Sequence, residues 1–392
     1  MRRKYKYMLS LIIVSVLIAS TFSTSVTATE TGVNLSNDSR SAILIERDTG
    51  KVLYDKNSGE KLPPASMTKV MTMLLIMEAI DEGRLKMDEK IRTSEYAASM
   101  GGSQIFLEQG EEMTVEEMLR GIAIGSANDA SVAMAERLAG SEEEFVRLMN
   151  EKVKELGLKD TLFKNSTGLP TEEHYSTAHD MAIMAKELLK YETITKFTGK
   201  YEDYLREDSD KKFWLVNTNR LVKFYPGVDG LKTGFTNEAK YCLTATAEKD
   251  GMRVVAVVFG APTSKSRNAQ VTKMLDYAFS QYESHPMFDK GHVLAKAKIS
   301  KGSEKTVDAV TSERISLLTK KGENIEKIEE KITLKEGLKA PIQKGDEVGS
   351  LKLVQDGKSL VETKLVANET IESASWWQLY KRAFGMFTRT DE

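Results

Sequence analysis

Cysteine is almost absent. Cys242 is the single one in 392 residues, which excludes an internal disulfide. It lies in the apolar stretch YCLTATA, where a buried thiol behaves as a small apolar side chain. Histidine is scarce too. The four, at 174, 179, 285 and 292, show no HExxH or other metal-ligand spacing, so neither a metal nor a cofactor is expected. Neither charge is in excess: 56 basic and 58 acidic residues leave a net charge of −2, which argues against nucleic acid as a partner. No internal repeat and no low-complexity segment is present. The N-terminal apolar run, MLSLIIVSVLIA at 8–19, is too short for a comfortable membrane span.

That run follows Arg2, Arg3, Lys4 and Lys6 and precedes Val26-Thr27-Ala28, with small residues where signal peptidase cuts. Residues 1–28 therefore read as a cleaved signal peptide, with an uncleaved anchor helix as the alternative. No cysteine stands near the cleavage point, so this is not a lipoprotein. The mature protein is expected to be exported and to work at the outer face of the cytoplasmic membrane, in the cell-wall space or periplasm. A lone cysteine suits such a compartment, because oxidation finds no second thiol to pair it with.

The remainder divides by texture. SAILIERDTGKVLYDKN reads as a hairpin around Asp48-Thr49-Gly50. An apolar helical run extends to about Glu82. Helical spacing recurs over 114–138, broken by GSAND at 125–129. A helix over 141–156 is expected to open with a capping box, Ser141 with Glu144. Another helix fits 177–190. From Gly227 the pattern turns to strand, turn, strand, with Asp250-Gly251 as a hairpin signal, before a last helix over 268–283. Strands thus open and close this part, with helices between. The fold class is α+β: an antiparallel sheet whose N- and C-terminal strands lie side by side, with an inserted helical cluster. These residues, 29–285, form the expected first domain. Residues 286–370 alternate charged and apolar positions with glycine turns and read as a small all-β domain. In the tail, 371–392, Trp376, Tyr380, Phe384 and Phe387 share one helical face beside Lys381 and Arg382. This suits an amphipathic helix lying on an anionic membrane surface, with packing on the β domain as the alternative.

Chemistry concentrates at three places. SxxK occurs as Ser58…Lys61, Ser66…Lys69 and Ser209…Lys212. The first lies in a turn and the last in a charge run. Ser66 alone opens a strongly apolar helical run, where i and i+3 share a face. A serine hydroxyl is a weak nucleophile until a base takes its proton. With no suitably spaced histidine, Lys69 must be that base and must be partly neutral. Burial and a second cation both lower a lysine's pKa. Lys232, in KTG at 232–234, supplies a second lysine on a strand, and Gly234 lets that strand approach a ligand's backbone. Ser126-Ala127-Asn128, between helices, offers a hydroxyl to relay a proton. Its amide can hold a substrate carbonyl or orient the lysine.

SMTK (66–69), SAN (126–128) and KTG (232–234), in this order, resemble the SxxK, SxN and KTG set of the penicilloyl-serine transferases, the penicillin-binding proteins and serine β-lactamases. The closer resemblance is to the low-molecular-weight D-alanyl-D-alanine carboxypeptidases. It extends through FKNSTGLP (163–170), KTGFTNEAKYCLTATAEKDGMRVVAVVFGAPTSKSR, the β domain and the amphipathic tail, essentially the whole mature chain. The resemblance implies a β-lactamase/transpeptidase-like first domain. It implies an enzyme that removes the terminal D-alanine from peptidoglycan stem peptides and that β-lactams inhibit by stable acylation. It implies Ser66 as acylated nucleophile, Lys69 as its base and Ser126 as proton relay to the leaving D-alanine. Asn128 would contact the peptide or Lys69. Lys232 would supply positive potential, and Thr233 and Arg267 would bind the terminal carboxylate. The backbone N–H groups of Ser66 and Phe235 would form the oxyanion hole. Class A β-lactamases carry a water-activating glutamate in an E-x-x-L-N context. KNSTGLP has no such acid, and Lys69 is the candidate for activating the deacylating water. Two other functions compete. A β-lactamase of this fold is disfavoured by the missing acid and the extra β domain. A non-catalytic cell-wall-binding protein would not need two lysines around one serine.

Overall fold

The computed structural model describes residues 33–378 and 380, apart from 324 and 326. The expected signal peptide and most of the expected tail helix lie outside the described residues.

The first hairpin forms as its turn chemistry demands. Strands β1 (Ser41–Glu46) and β2 (Val52–Lys56) pair antiparallel. Gly50 takes a φ of +68° in the turn between them. The buried Glu46 carboxylate accepts from the backbone N–H groups of Asp48 and Thr49 at 2.9 and 2.7 Å. A single 3₁₀ turn, Ala65–Thr68, leads into α1 (Lys69–Asp81). Nearly every residue of α1 from Lys69 to Met77 is buried. This helix is apolar all round and sits inside the domain rather than on its surface. Around it pack α2 (Asn128–Ala139), α3 (Glu142–Glu155) and α4 (Ala178–Leu188). Ser141 caps α3 by accepting from the Glu144 N–H at 3.1 Å. Its expected reciprocal half differs, because the Glu144 carboxylate takes Arg147 Nε at 2.8 Å. The complete capping box is Thr114 with Glu117.

The chain then returns to the sheet. β3 (Val228–Thr236), β4 (Lys240–Lys249) and β5 (Met252–Ala261) complete an antiparallel sheet in the order β2-β1-β5-β4-β3. The first and last strands of this sheet in chain order, β1 and β5, are neighbours. Asp250 and Gly251 both take positive φ in the β4–β5 turn, the twist that a two-residue hairpin favours. Alternation along each strand fills two cores. Ile43, Ile45, Leu231, Cys242, Val255, Val257 and Phe259 join the helical cluster. Ala42, Leu44, Leu243, Ala245, Val254, Ala256 and Val258 pack with α5 (Ser264–Gln281).

Beyond α5 the structure is β-rich up to Ile371, and residues 376–378 open a helical turn. β6 (Tyr282–Phe288) pairs with β9 (Ile315–Lys320). A five-stranded sheet runs β7-β8-β12-β11-β10, built from Val293–Lys298, Thr306–Thr311, Lys358–Ala367, Glu347–Gln355 and Glu329–Leu334. It encloses its own core, including Val348, Leu351, Leu353 and Leu365. A nearly dry ionic cluster ties this region to the first hairpin. Asp48 Oδ1 lies 2.7 Å from Arg47 Nε, an ion pair rather than a directed hydrogen bond. Asp48 Oδ2 accepts from Ser316 Oγ at 2.7 Å. Arg314 Nε stands 4.0 Å away.

Removing one partner of a buried pair leaves the other charge uncompensated. Asp48→Ala is therefore expected to lower stability by about 3 kcal/mol in urea unfolding. Lys352→Ala, which removes an exposed pair with Glu362, is expected to cost under about 1 kcal/mol.

Candidate active site

The turn that carries Ser66 is set by what precedes it. Pro63 and Pro64 end the extended segment, and Ala65 takes a φ of +49°. The tighter 3₁₀ turn stands where the sequence suggested the helix itself would begin. Its pitch still puts residues three apart on one side. Lys69 Nζ lies 3.3 Å from Ser66 Oγ.

Lys69 is fully buried, and two other oxygens hold its nitrogen. Asn128 Oδ1 accepts from Nζ at 2.6 Å and the Thr167 carbonyl at 2.7 Å. A neutral amine has two N–H donors and one lone pair. If the donors go to Asn128 and Thr167, the lone pair is left for the Ser66 hydroxyl. Burial is the main force pulling the Lys69 pKa well below that of an ordinary lysine. The Lys232 charge adds to the shift, and Asp129 opposes it. Lys232 is itself buried and is lowered to about 7, by burial first and then by Arg267. Charge on Lys69 is thus disfavoured by Lys232, and charge on Lys232 in turn by Arg267.

Asn128 is the first residue of α2, and both ends of its amide are engaged. Nδ2 donates to the Gly101 carbonyl at 2.7 Å, and Oδ1 faces Lys69. Of the two roles read for it, orienting the lysine is the one its contacts supply. Ser126 sits between a π-helical turn, Gly121–Gly125, and α2, at a φ of +62°. This corner is stabilised by the Ala127 N–H donating to Gly121 O at 3.1 Å. Asp129 is no proton acceptor for a substrate water. Its carboxylate takes the backbone N–H groups of Ile105, Leu107 and Ala130 at 2.9–3.2 Å.

The KTG strand meets the turn that carries Ser66 backbone to backbone. A Cβ on Gly234 would stand 2.6 Å from the Pro64 carbonyl oxygen. The expected reason for this glycine was close approach to a ligand. What it approaches is the turn before Ser66. Thr233 Oγ1 donates to Thr218 Oγ1 at 2.7 Å. The Phe235 ring is half exposed and lies 4.5 Å from the Tyr241 ring. Arg267, in the first turn of α5, is buried. Its Nε and Nη2 donate to Asn268 Oδ1, and Nη1 reaches the Cys242 carbonyl at 3.5 Å. Cys242 pairs with Gly234 across the β3–β4 ladder. Burial pushes its thiol up to about 12.

From the sequence, KNSTGLP counted as part of the family resemblance and for the acid it lacks. The structure gives this stretch a positive role. Asn165 Oδ1 accepts from the backbone N–H groups of Thr167 and Gly168 at 3.2 and 2.7 Å, closing an Asx-type turn. That turn presents the Thr167 carbonyl to Lys69. Gly168, at a φ of +82°, lies so close to the nucleophile turn that a Cβ there would meet the Ala65 oxygen at 1.8 Å. His174, dismissed as a metal ligand, donates to or accepts from Thr68 Oγ1 at 2.8 Å. Asn165-x-x-Gly168 was the available signal for the turn. Nothing in the sequence marks a backbone carbonyl.

Residues 25–263 match the family model described as D-alanyl-D-alanine carboxypeptidase, peptidase S11. Residues 282–373 match that of the C-terminal domain of penicillin-binding protein 5. The chain is 62% identical over 387 residues to the D-alanyl-D-alanine carboxypeptidase DacF of Bacillus subtilis, covering 98% of this chain and 99% of that one. It is 32% identical to DacC of Escherichia coli, over 87% and 86% of the two chains. Among solved structures, penicillin-binding protein 5 from Haemophilus influenzae aligns with a TM-score of 0.66 at 27% identity, over 86% of this chain and 98% of that one. Penicillin-binding protein D2 from Listeria monocytogenes, in its ampicillin-bound form, aligns with a TM-score of 0.55 at 31% identity, over 63% and 100%.

Two outcomes follow from the geometry. Gly168→Ala must move either the Thr167 carbonyl or the Ala65 turn, and is expected to slow acylation of Ser66 by a β-lactam at least about tenfold, measured by stopped-flow. Lys232→Gln removes a neighbouring positive charge, so the Lys69 pKa should rise. The acid limb of the acylation rate profile is then expected to move to higher pH, whatever happens to the maximal rate.

Proposed function

The chain belongs to the D-alanyl-D-alanine carboxypeptidase family of serine peptidases, and on that premise we propose how its residues divide the work. It is an enzyme that removes the terminal D-alanine from peptidoglycan stem peptides and binds β-lactams. The observation that carries the assignment of roles is the triple engagement of Lys69 Nζ with Ser66 Oγ, Asn128 Oδ1 and the Thr167 carbonyl.

In the proposed reaction Lys69 takes the Ser66 proton, and Oγ attacks the carbonyl of the penultimate D-alanine. The resulting oxyanion is held by the backbone N–H groups of Ser66 and Phe235. Thr233 and Arg267 bind the substrate's terminal carboxylate, and Lys232 and Gly234 complete that wall of the cleft. Lys232 supplies positive potential. As the C–N bond breaks, Ser126 passes a proton to the departing amine of D-alanine. Water then attacks the acyl-enzyme with Lys69 as its base. A β-lactam follows the first half of this path. KNSTGLP offers a backbone carbonyl beside Lys69 and no carboxylate of the kind class A β-lactamases use on water. A long-lived acyl-enzyme with the drug is the expected outcome that would separate this protein from a β-lactamase.

Exported placement is part of the proposal, since the substrate is cell-wall material. Among the described residues no helix is long and apolar enough to cross a membrane. Attachment is assigned to the C-terminal segment, where Trp376 and Trp377 are both about two-thirds exposed. Amphipathic aromatic rings of this kind favour a membrane interface.

Incubation with benzylpenicillin followed by peptide mass spectrometry is expected to give a stable adduct on Ser66. An adduct on another serine, or rapid loss of the label, would refute the mechanism. Lys69→Ala should abolish D-alanine release from a peptide ending in D-Ala-D-Ala while the protein stays folded. Deleting residues 371–392 should release the protein from anionic vesicles in a flotation assay. Unchanged flotation would return the tail to a packing role.

A further inference from the structure

The loop from Phe163 to His174 touches the nucleophile helix at several points. The Thr167 carbonyl accepts from Lys69, and the Ser166 carbonyl accepts from Thr72 Oγ1 at 2.6 Å. Gly168 lies against the Ala65 carbonyl. A further tie is His174, the titratable side chain that the loop itself contributes. Its ring is buried, with the Phe163 ring edge-on at 5.7 Å.

The tautomer of this imidazole follows from its partners. The Lys164 backbone N–H donates to Nδ1 at 3.1 Å, so Nδ1 carries no proton. The neutral ring therefore holds its proton on Nε2, which donates to Thr68 Oγ1 at 2.8 Å. Burial keeps the ring neutral down to about pH 4. Thr68 is fully buried inside the SMTK turn, two residues from Ser66. One flat ring thus spans from the loop's first residues to the nucleophile turn.

We propose that His174 is a positioning residue for acylation: as its Nε2–H tautomer it locks the Ser66 turn to the 163–174 loop, and so keeps the Thr167 carbonyl in register with Lys69. The proposal rests on the assignment of Ser66 and Lys69 above. Without this lock the loop is tied to the turn and to α1 only by the packing of Gly168 on Ala65, the Thr72–Ser166 bond and Lys69 itself, and the carbonyl shifts relative to the lysine. The lysine's lone pair then loses its direction toward Ser66. Displacements of this size at a nucleophile–base pair are costly in rate.

The test is the second-order rate of acylation by a fluorescent penicillin, with the final amount of label counted per mole of protein. His174→Leu keeps bulk and removes both hydrogen bonds. It is expected to acylate at least about tenfold slower while reaching full label. His174→Gln retains one acceptor and one donor at the end of its side chain, and is expected within about threefold of the unaltered enzyme. Thr68→Val should slow acylation as His174→Leu does. The double variant should be no slower than the slower single, since both break the same link. A purely structural histidine would lower the melting temperature and the amount of label without slowing the labelling rate of the folded fraction. His174→Leu at the normal rate, His174→Gln as slow as His174→Leu, or losses that multiply in the double variant would each overturn the proposal. If His174→Leu fails to fold, Thr68→Val at the normal rate overturns it alone. Absence of label on Ser66 in the unaltered enzyme would instead overturn the assignment on which it rests.

Discussion

Everything in this cleft depends on a buried amine that must not be fully charged. Taking an ammonium out of water is costly, and a lysine so placed gives up its proton instead. The fold exploits that penalty. Lys69 sits at the start of a helix with no solvent-facing side, and Lys232 stands near enough to disfavour charge on it further. Asp129 opposes the shift. The two acceptors at 2.6 and 2.7 Å fix which way the nitrogen faces. Depressed basicity and fixed direction come from different residues, so each can be set without the other.

The contacts that hold the pieces at this spacing are mostly made by the main chain. Gly234 brings the KTG strand onto Pro64, Gly168 brings the loop onto Ala65, and the Thr167 carbonyl closes on Lys69. A carbonyl or a bare Cα has no rotamers to average over, so the spacing is set by the fold itself. The antiparallel sheet makes that possible. β3 is the edge strand on the cleft side, and its other neighbour, β4, is backed by a second core under α5. The strand is therefore stiff where it meets the turn.

The parts of the site legible in the sequence were those with a side chain to announce them. Ser66, Lys69, Ser126, Asn128 and Lys232 were singled out by type, spacing and order, and of these the structure joins Ser66, Lys69 and Asn128, with the Lys232 charge acting on Lys69. Asn128 was readable only as a choice between two roles, because its direction depends on Gly101, a carbonyl supplier with no pattern of its own. The Thr167 carbonyl was invisible for the same reason. His174 was visible but was weighed only as a metal ligand. Its actual partners, Thr68 and the Lys164 N–H, are separated from each other by about a hundred residues of chain. Gly234 was read as a glycine that permits close approach, and only the coordinates say to what. The capping box failed at Ser141 because Glu144 has a nearer cation in Arg147.

Gly168 and Gly234 have one more implication, for drug escape. A protein evades a β-lactam most simply by reshaping the cleft while keeping room for its own substrate. Here two walls of the cleft press on the nucleophile turn through positions where any added side chain collides with a carbonyl. On the proposed mechanism, point mutations at those positions spoil the attack on drug and on D-alanyl peptide alike, because both would use the same serine held by the same turn. Escape by substitution is thus channelled to the half-exposed rim around Phe235 and Tyr241. There a change of ring can alter which molecule fits without moving the backbone beneath it.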